Sequence, residues 1–197
     1  MIVGITGGTG CGKTTALRAF KALGGVCLDC DEIYHELLKN DQEMLSAIES
    51  RFPGTVIDGV LDRKKLGARV FADPDALLQL NEITHSRVKA EILRRLEGES
   101  RPVAIDAIAL FEGGLSELCQ VTVAVTAPEE ERVSRLMARE GISEEYAKAR
   151  ISAQKSQEEF MKQCQYSLQN DGTQGEFYEK CLAFFRGLGI IEENSKA

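Results

Sequence analysis

Short apolar runs alternate along this chain with longer segments in which apolar residues recur every three or four positions. The short runs predict five strands, at Ile2–Thr6, Val26–Asp29, Val103–Asp106, Val121–Thr126 and Tyr166–Asn170. The longer segments predict helices, at Lys13–Leu23, from about Asp31 to Lys39, from Pro128 onward, from Ser143 toward Gln154, and at Phe177–Arg186. The crossover between two parallel strands places a helix on one face of the sheet. The pattern therefore predicts an α/β fold with a parallel five-stranded sheet covered by helices on both faces.

The segment between the second and third predicted strands has helical spacing almost throughout. It runs from Asp41 to Glu97 and is interrupted at Phe52-Pro53-Gly54 and at Asp73-Pro74. We interpret about residues 41–98 as a helical insertion into a single domain, whose core comprises about residues 1–40, 100–130 and 165–190. Charged helices over about residues 131–160 are interpreted as a helical lid.

Composition narrows the class of protein. Of the 197 residues, 43% are hydrophobic and 28% are charged, which is ordinary for a globular domain and excludes a disordered or fibrous chain. The apolar runs are too short to cross a bilayer, and the N-terminal MIVGITGG lacks the basic region of a signal peptide, so we expect a soluble cytoplasmic protein with reduced cysteines. The net charge of −7 argues against nonspecific nucleic-acid binding. We expect a monomer or small homo-oligomer that acts on small molecules without nucleic acid or membrane.

A glycine-rich motif follows the first predicted strand and leads into a helix. Residues 7–14 read GGTGCGKT, which satisfies the P-loop pattern G-x-x-x-x-G-K-[ST] in the context that the pattern requires. In such a loop backbone N–H groups surround phosphate oxygens, the lysine reaches the β- and γ-phosphates, and the hydroxyl that follows can bind Mg²⁺. We therefore predict a P-loop NTPase-type fold that binds ATP and Mg²⁺, with Thr14 as the metal-binding residue. The predicted nucleotide-binding residues of the loop are Gly8, Thr9, Gly10, Cys11, Gly12, Lys13, Thr14 and Thr15.

The fate of the γ-phosphate depends on other residues. The chain contains neither the N-K-x-D that reads guanine nor an LSGGQ-like signature of ABC-type ATPases. The second predicted strand ends instead in Asp29-Cys30-Asp31, at the strand end that faces the ligand crevice in such sheets. A carboxylate there can accept the proton of an attacking hydroxyl, whereas a helix cap is an equally good interpretation of Asp31.

Four arginines flank the break at Glu140-Gly141-Ile142. They are Arg132, Arg135, Arg139 and Arg150. Arg135 and Arg139 are four positions apart and so lie on one face of a helix, which suits a lid that brings cations over transferring phosphates. The alternative is a solvated helix in which Glu131 pairs with Arg135.

Motifs along almost the whole chain resemble those of the dephospho-CoA kinase family. They are ITGGTGCGKTT at the P-loop, DCD at 29–31, ITH at 83–85, LFEGGL at 110–115, RLMARE at 135–140 and ARISAQ at 149–154. The resemblance implies transfer of the ATP γ-phosphate to the ribose 3′-hydroxyl of dephospho-CoA, a phosphotransfer to an alcohol that forms coenzyme A. It implies that Asp31 is the general base and that Lys13, Arg135 and Arg139 are further catalytic residues. It implies that Arg150 binds the nucleotide. It also implies that Asp29, His85 and Glu112 bind the acceptor.

The chain departs from the family pattern at several positions. Cys11 replaces the usual serine of the loop, Phe160 stands where the family has a lysine, and Gln165 and Gln169 each replace an aspartate. The last three concern the nucleotide side, so ATP affinity or base preference is expected to differ more than the chemistry. Two alternatives are a nucleoside or nucleotide kinase with a similar lid, and a module that binds ATP without transferring phosphate.

Overall fold

The computed structural model describes residues 1–190. Its strands are β1 (Ile2–Thr6), β2 (Val26–Asp29), β3 (Val56–Ile57), β4 (Val60–Leu61), β5 (Val103–Asp106), β6 (Val121–Thr126) and β7 (Tyr166–Gln169). Its α-helices are α1 (Lys13–Ala22), α2 (Cys30–Asn40), α3 (Gln42–Arg51), α4 (Arg63–Val70), α5 (Pro74–Leu96), α6 (Glu129–Glu140), α7 (Glu144–Ser152), α8 (Gln157–Gln163) and α9 (Gln174–Gly187). The described chain divides into two compact units, one formed by residues 1–28 and 100–190, the other by Asp29–Glu99.

The first unit contains a five-stranded sheet with the strand order β2-β5-β1-β6-β7. Strand β1 pairs in parallel with β5 and with β6, and β6 pairs in parallel with β7. The central strands are rich in β-branched residues and buried on both faces, as expected of a parallel sheet covered by helices. The predicted α/β class and five strands are confirmed.

Helices α1 and α9 pack together in the core of this unit. The ring of Phe20 meets that of Phe185 edge to face, with 5.1 Å between centroids. Both rings are fully buried with Val3, Ile5 and Cys181. This core holds the amino end of α1 against the end of β1.

Helices α8 and α9 each begin with a capping box, at Ser156 and at Thr173. In each box the hydroxyl accepts a hydrogen bond from the third N–H of the helix.

The second unit is helical and has its own apolar core. Side chains from α2, α3, α4 and α5, and that of Phe52 just after α3, form the core: Leu38, Met44, Ile48, Phe52, Leu66, Val70, Ala76 and Leu80. The long helix α5 begins at Pro74, capped by the Asp73 carboxylate, which accepts from Asp75 N at 3.0 Å.

Some boundaries differ from those the sequence predicts. Residues 56–61 form a short antiparallel hairpin where helical spacing is expected, because two-residue strands are too short to show a period of two. The lid region contains a third helix, α8, and the closing helix begins at Gln174 instead of Phe177. Helix α2 packs on α5 and so groups with residues 29–99, whereas the predicted insertion begins near residue 41.

Candidate active site

The loop between β1 and α1 has the backbone conformation of an anion-binding cradle. Gly12 is the N-cap of α1 with φ 103°, and no side chain caps the helix. Gly10 has φ 77°, another value that favours glycine. The first N–H groups of α1 therefore have no side-chain acceptor, and the positive end of the helix dipole adds to their attraction for phosphate.

Lys13 bridges the two ends of the loop. Its Nζ donates to Gly7 O at 3.0 Å and lies 4.0 Å from Asp106 Oδ1, with both side chains largely buried. Asp106 is the last residue of β5, and in the parallel register it stands opposite Ile5 of β1. Sequence reasoning missed Asp106, because its proximity to Lys13 depends on β5 lying beside β1 in the sheet order.

Two residues from the lid region contact the peptide groups of Thr9. The Nε of Arg132 donates to Thr9 O at 2.8 Å, and Thr9 N donates to Gln154 Oε1 at 2.7 Å. Only 3% of Arg132 is exposed, and this burial lowers the pKa of its guanidinium from the usual value. Sequence reasoning placed Arg132 among the lid arginines but gave it no role, because a charge-rich helix predicts a solvated side chain.

The other three lid arginines lie in two places, Arg135 at the glycine loop and Arg139 and Arg150 at the end of α6. Arg135 lies at the loop, where Nη1 donates to Gly10 O at 3.3 Å, and its Nη2 is 3.5 Å from Glu131 Oε2. Arg139 and Arg150 both pair with Glu140 at the end of α6, and these hydrogen bonds lower the pKa of the Glu140 carboxyl. The structure thus brings Arg135, but not Arg139 or Arg150, to the glycine loop.

A cleft of about 410 Å³ opens at the amino end of α1. Its lining residues are Gly12, Thr15, Glu131, Arg135, Asn170, Gly172, Thr173 and Gln174. The buried amide of Asn170 holds the loop at the cleft, since Nδ2 donates to Cys11 O at 2.9 Å. Burial raises the pKa of the Cys11 thiol, which packs behind the loop.

Glu112 and the positions that depart from the family pattern have partners within this unit. The Glu112 carboxylate pairs with Lys155 Nζ, which also donates to Gln163 Oε1 at 3.1 Å. Phe160 is 2% exposed, so an apolar core site occupies the expected lysine position. Gln165 exchanges two hydrogen bonds with Thr122 of β6, and the Gln169 carbonyl accepts from Lys180 at 2.7 Å.

In the second unit the acids at the end of β2 have different roles. Asp29 is the cap of α2, because its Oδ1 accepts from Asp31 N at 2.8 Å and from Glu32 N at 3.1 Å. Asp31 is exposed in the first helical turn and does not cap the helix. His85 lies half-buried on α5, and burial lowers its pKa, which favours the neutral imidazole at neutral pH.

Comparison with known proteins assigns the family. The sequence model described as dephospho-CoA kinase matches residues 1–176. The chain belongs to the dephospho-CoA kinase family. A curated dephospho-CoA kinase from Thermus thermophilus is 37% identical over 174 residues, which cover 88% of this chain and 84% of that protein.

Solved structures agree with membership of the dephospho-CoA kinase family. The crystal structure of TT1252 from Thermus thermophilus is 35% identical, with a TM-score of 0.81, and covers 95% of this chain and 97% of its own. A dephospho-CoA kinase from Campylobacter jejuni is 28% identical with a TM-score of 0.66, covering 95% of this chain and 96% of its own. The predicted P-loop kinase fold is confirmed.

Residues 1–190 contain neither a helix able to span a membrane nor a cluster of metal ligands. None of their helices combines the length and apolar character needed to cross a membrane. That part of the chain also has no group of three or more His, Cys, Asp or Glu side chains arranged to hold a metal ion.

Proposed function

We propose that this chain transfers the γ-phosphate of ATP to the ribose 3′-hydroxyl of dephospho-CoA, forming coenzyme A and ADP in the last step of coenzyme A synthesis. The observation that carries the proposal is the family match over residues 1–176, which includes the P-loop and extends far beyond it. The net charge of −7 supports small-molecule substrates rather than nucleic acid. The alternatives of a nucleotide kinase or a non-catalytic ATP-binding module are not favoured.

The glycine loop and the cleft beside it suit the two parts of ATP. Backbone N–H groups at residues 8–15 are proposed to bind the phosphates, and the cleft at Thr15 and Asn170 to take the base. Lys13 is held at the Gly7 end of the loop, where its ammonium can neutralise charge that develops on the terminal phosphate. Arg135, which donates to Gly10 O of the same loop, is proposed for a similar role.

The residues at this end of the sheet suit a magnesium ion. Magnesium prefers oxygen ligands and usually keeps several waters. The exposed Thr14 hydroxyl and the Asp106 carboxylate are the proposed protein ligands, with substrate phosphates supplying further oxygens. The charge neutralisation that Mg²⁺ supplies when bound adds to that of Lys13.

Asp31 is proposed as the general base of the transfer. Its carboxylate would take the proton of the 3′-hydroxyl while that oxygen bonds to the γ-phosphorus and the bond from the γ-phosphorus to the β,γ-bridging oxygen breaks. The support is that Asp29 performs the capping role, which leaves the Asp31 carboxylate exposed. Asp29, His85 and Glu112 stay as proposed acceptor-binding residues, and Arg139 and Arg150 as lid cations released from Glu140 when substrates bind.

An acceptor panel tests the activity. The protein is incubated with Mg-ATP and either dephospho-CoA, nucleosides or nucleoside monophosphates, and the products are separated by chromatography. Phosphate on dephospho-CoA alone is expected. Phosphate on a nucleoside or nucleotide, or ATP binding without any transfer, would overturn the proposal.

Asp31→Asn tests the base, with Glu32→Gln as the matched control one residue along. Removing a general base typically lowers the rate about 10²–10⁴-fold, so kcat is expected to fall by that factor while the ATP dissociation constant is unchanged. Near-normal turnover of Asp31→Asn, or an equal loss in Glu32→Gln, would remove Asp31 from the role.

A further inference from the structure

The buried guanidinium of Arg132 has a hydrogen-bond donor that nothing in the described chain accepts. Its Nε donates to Thr9 O at 2.8 Å, but Nη2 is shielded from water and has no partner among residues 1–190. A charged donor left unpaired in the interior is strongly unfavourable, and native structures rarely tolerate one without a function. An acceptor for Nη2 must therefore come from a group other than the described residues, such as a bound ligand.

The unpartnered donor faces the glycine loop. A Cβ atom placed on Gly8 would lie 2.4 Å from Arg132 Nη2 and 3.2 Å from Gln154 Oε1, so both groups flank the same side of Gly8. The Gln154 oxygen accepts from Thr9 N at 2.7 Å. It thus occupies a position in which an oxygen bonds to a backbone N–H of the cradle, as a phosphate oxygen would.

The position along the loop indicates which phosphate is involved. The cleft for the base is lined by Gly12 and Thr15, at the α1 end of the loop. Lys13 Nζ lies at the opposite end, 3.0 Å from Gly7 O, and a P-loop lysine reaches the β- and γ-phosphates. Gly8 and Thr9 therefore lie at the end of the loop that receives the terminal phosphate.

We propose that Arg132 binds the γ-phosphate of ATP: a phosphate oxygen replaces Gln154 Oε1 at Thr9 N–H and accepts a hydrogen bond from Arg132 Nη2. The inference rests on the proposed use of ATP but not on the acceptor. The bond from Nε to Thr9 O keeps the guanidinium in position, so only the Gln154 side chain has to move. The anion also compensates the burial that disfavours the charged guanidinium.

Binding of ATP and of ADP to Arg132→Gln tests the proposal. Glutamine can still donate to Thr9 O but has no charge, and ADP lacks the phosphate concerned. Isothermal titration with Mg-ATP and Mg-ADP, without acceptor, is expected to show ATP binding weakened about tenfold and ADP binding weakened less than about twofold. Lys148→Gln, which removes an exposed charge of α7 paired with Glu144, is the matched control and is expected to change neither.

Equal weakening of ATP and ADP would mean that Arg132 only supports the loop, and unchanged ATP binding would mean that it contributes nothing; either result overturns the proposal. If Arg132→Gln does not fold, Arg132→Lys is measured in the same way, since it keeps the charge. Arg132→Lys is expected to weaken the binding of ATP more than that of ADP, and equal losses of affinity for the two nucleotides would overturn the proposal. The binding titrations contain no phosphate acceptor such as dephospho-CoA, so they test the role of Arg132 separately from the proposed activity. A chain that binds ATP but does not phosphorylate dephospho-CoA would refute the proposed function, and the titrations would still decide the role of Arg132.

Discussion

Replacing Gly8 by alanine tests how tightly Arg132 closes on the glycine loop. The added Cβ would meet Nη2 at 2.4 Å and Cζ at 3.1 Å, so the guanidinium must move. The backbone itself accepts alanine, since Gly8 is not among the residues with positive φ. The end of an arginine is normally easy to displace, but here it is buried and bonded to Thr9 O.

The expected loss follows from that bond. A hydrogen bond from a charged donor contributes about 1.5–3 kcal/mol to stability, and this contribution is lost if the guanidinium moves. Gly→Ala at an unstrained position offsets about 0.4–1 kcal/mol of that loss, because alanine lowers the conformational entropy of the unfolded chain. We therefore expect Gly8→Ala to lower the free energy of unfolding by about 1–2 kcal/mol. For a chain of this length each kcal/mol corresponds to about 2–4 °C in Tm.

Urea unfolding of a double-mutant cycle measures the effect. In an Arg132→Ala background the clash is absent, and Gly8→Ala is expected to be neutral or to stabilise by up to about 1 kcal/mol. Gly175→Ala is the matched control, because nothing lies within 4 Å of the added Cβ, and it is expected to be neutral or slightly stabilising. If Gly8→Ala were equally destabilising with and without the Arg132 side chain, the packing argument would be refuted.

Three further predictions concern other parts of the chain. Hydrogen bonds from Arg94 and, to a smaller extent, Arg95 lower the pKa of Glu91 from 4.5 to about 2, against the opposing effect of burial. These hydrogen bonds therefore stabilise the folded protein fully above about pH 4.5, and the stabilisation is lost as the pH falls toward 2. Glu91→Gln should accordingly lower the free energy of unfolding by about 0.5–1 kcal/mol at pH 7 but not near pH 2, and an equal loss in urea melts at both pH values would contradict this. Phe160→Lys should destabilise the protein by at least about 3 kcal/mol in the same assay, because the site is buried, and a variant as stable as the original chain would disprove this. Cys11 is 1% exposed with a raised pKa, and iodoacetamide should label it at least about tenfold more slowly in the native than in the denatured protein, as mass spectrometry can show; equal rates would exclude a buried thiol.

Much of the phosphate site is encoded locally, and for that reason the sequence alone predicts it. The P-loop needs only a buried strand, glycines that permit positive φ, and a helix that begins at Lys13, all within residues 2–14. The strands of the sheet are predicted almost to the residue because short runs without helical spacing, set between helical segments, have few other interpretations. The family motifs likewise require no knowledge of the tertiary structure.

What only the tertiary structure decides are partnerships between distant residues. Asp106 meets Lys13 because β5 lies beside β1, a sheet order that no local pattern records. Arg132 is buried on a helix whose composition predicts exposure, because its first turn packs against Gly8 and Gly10. Asp29 caps α2 and Asp31 stays exposed because the helix begins directly after Asp29, at Cys30. Local backbone preference determines a loop of eight residues, whereas the groups that approach it are selected by packing across more than a hundred residues of chain.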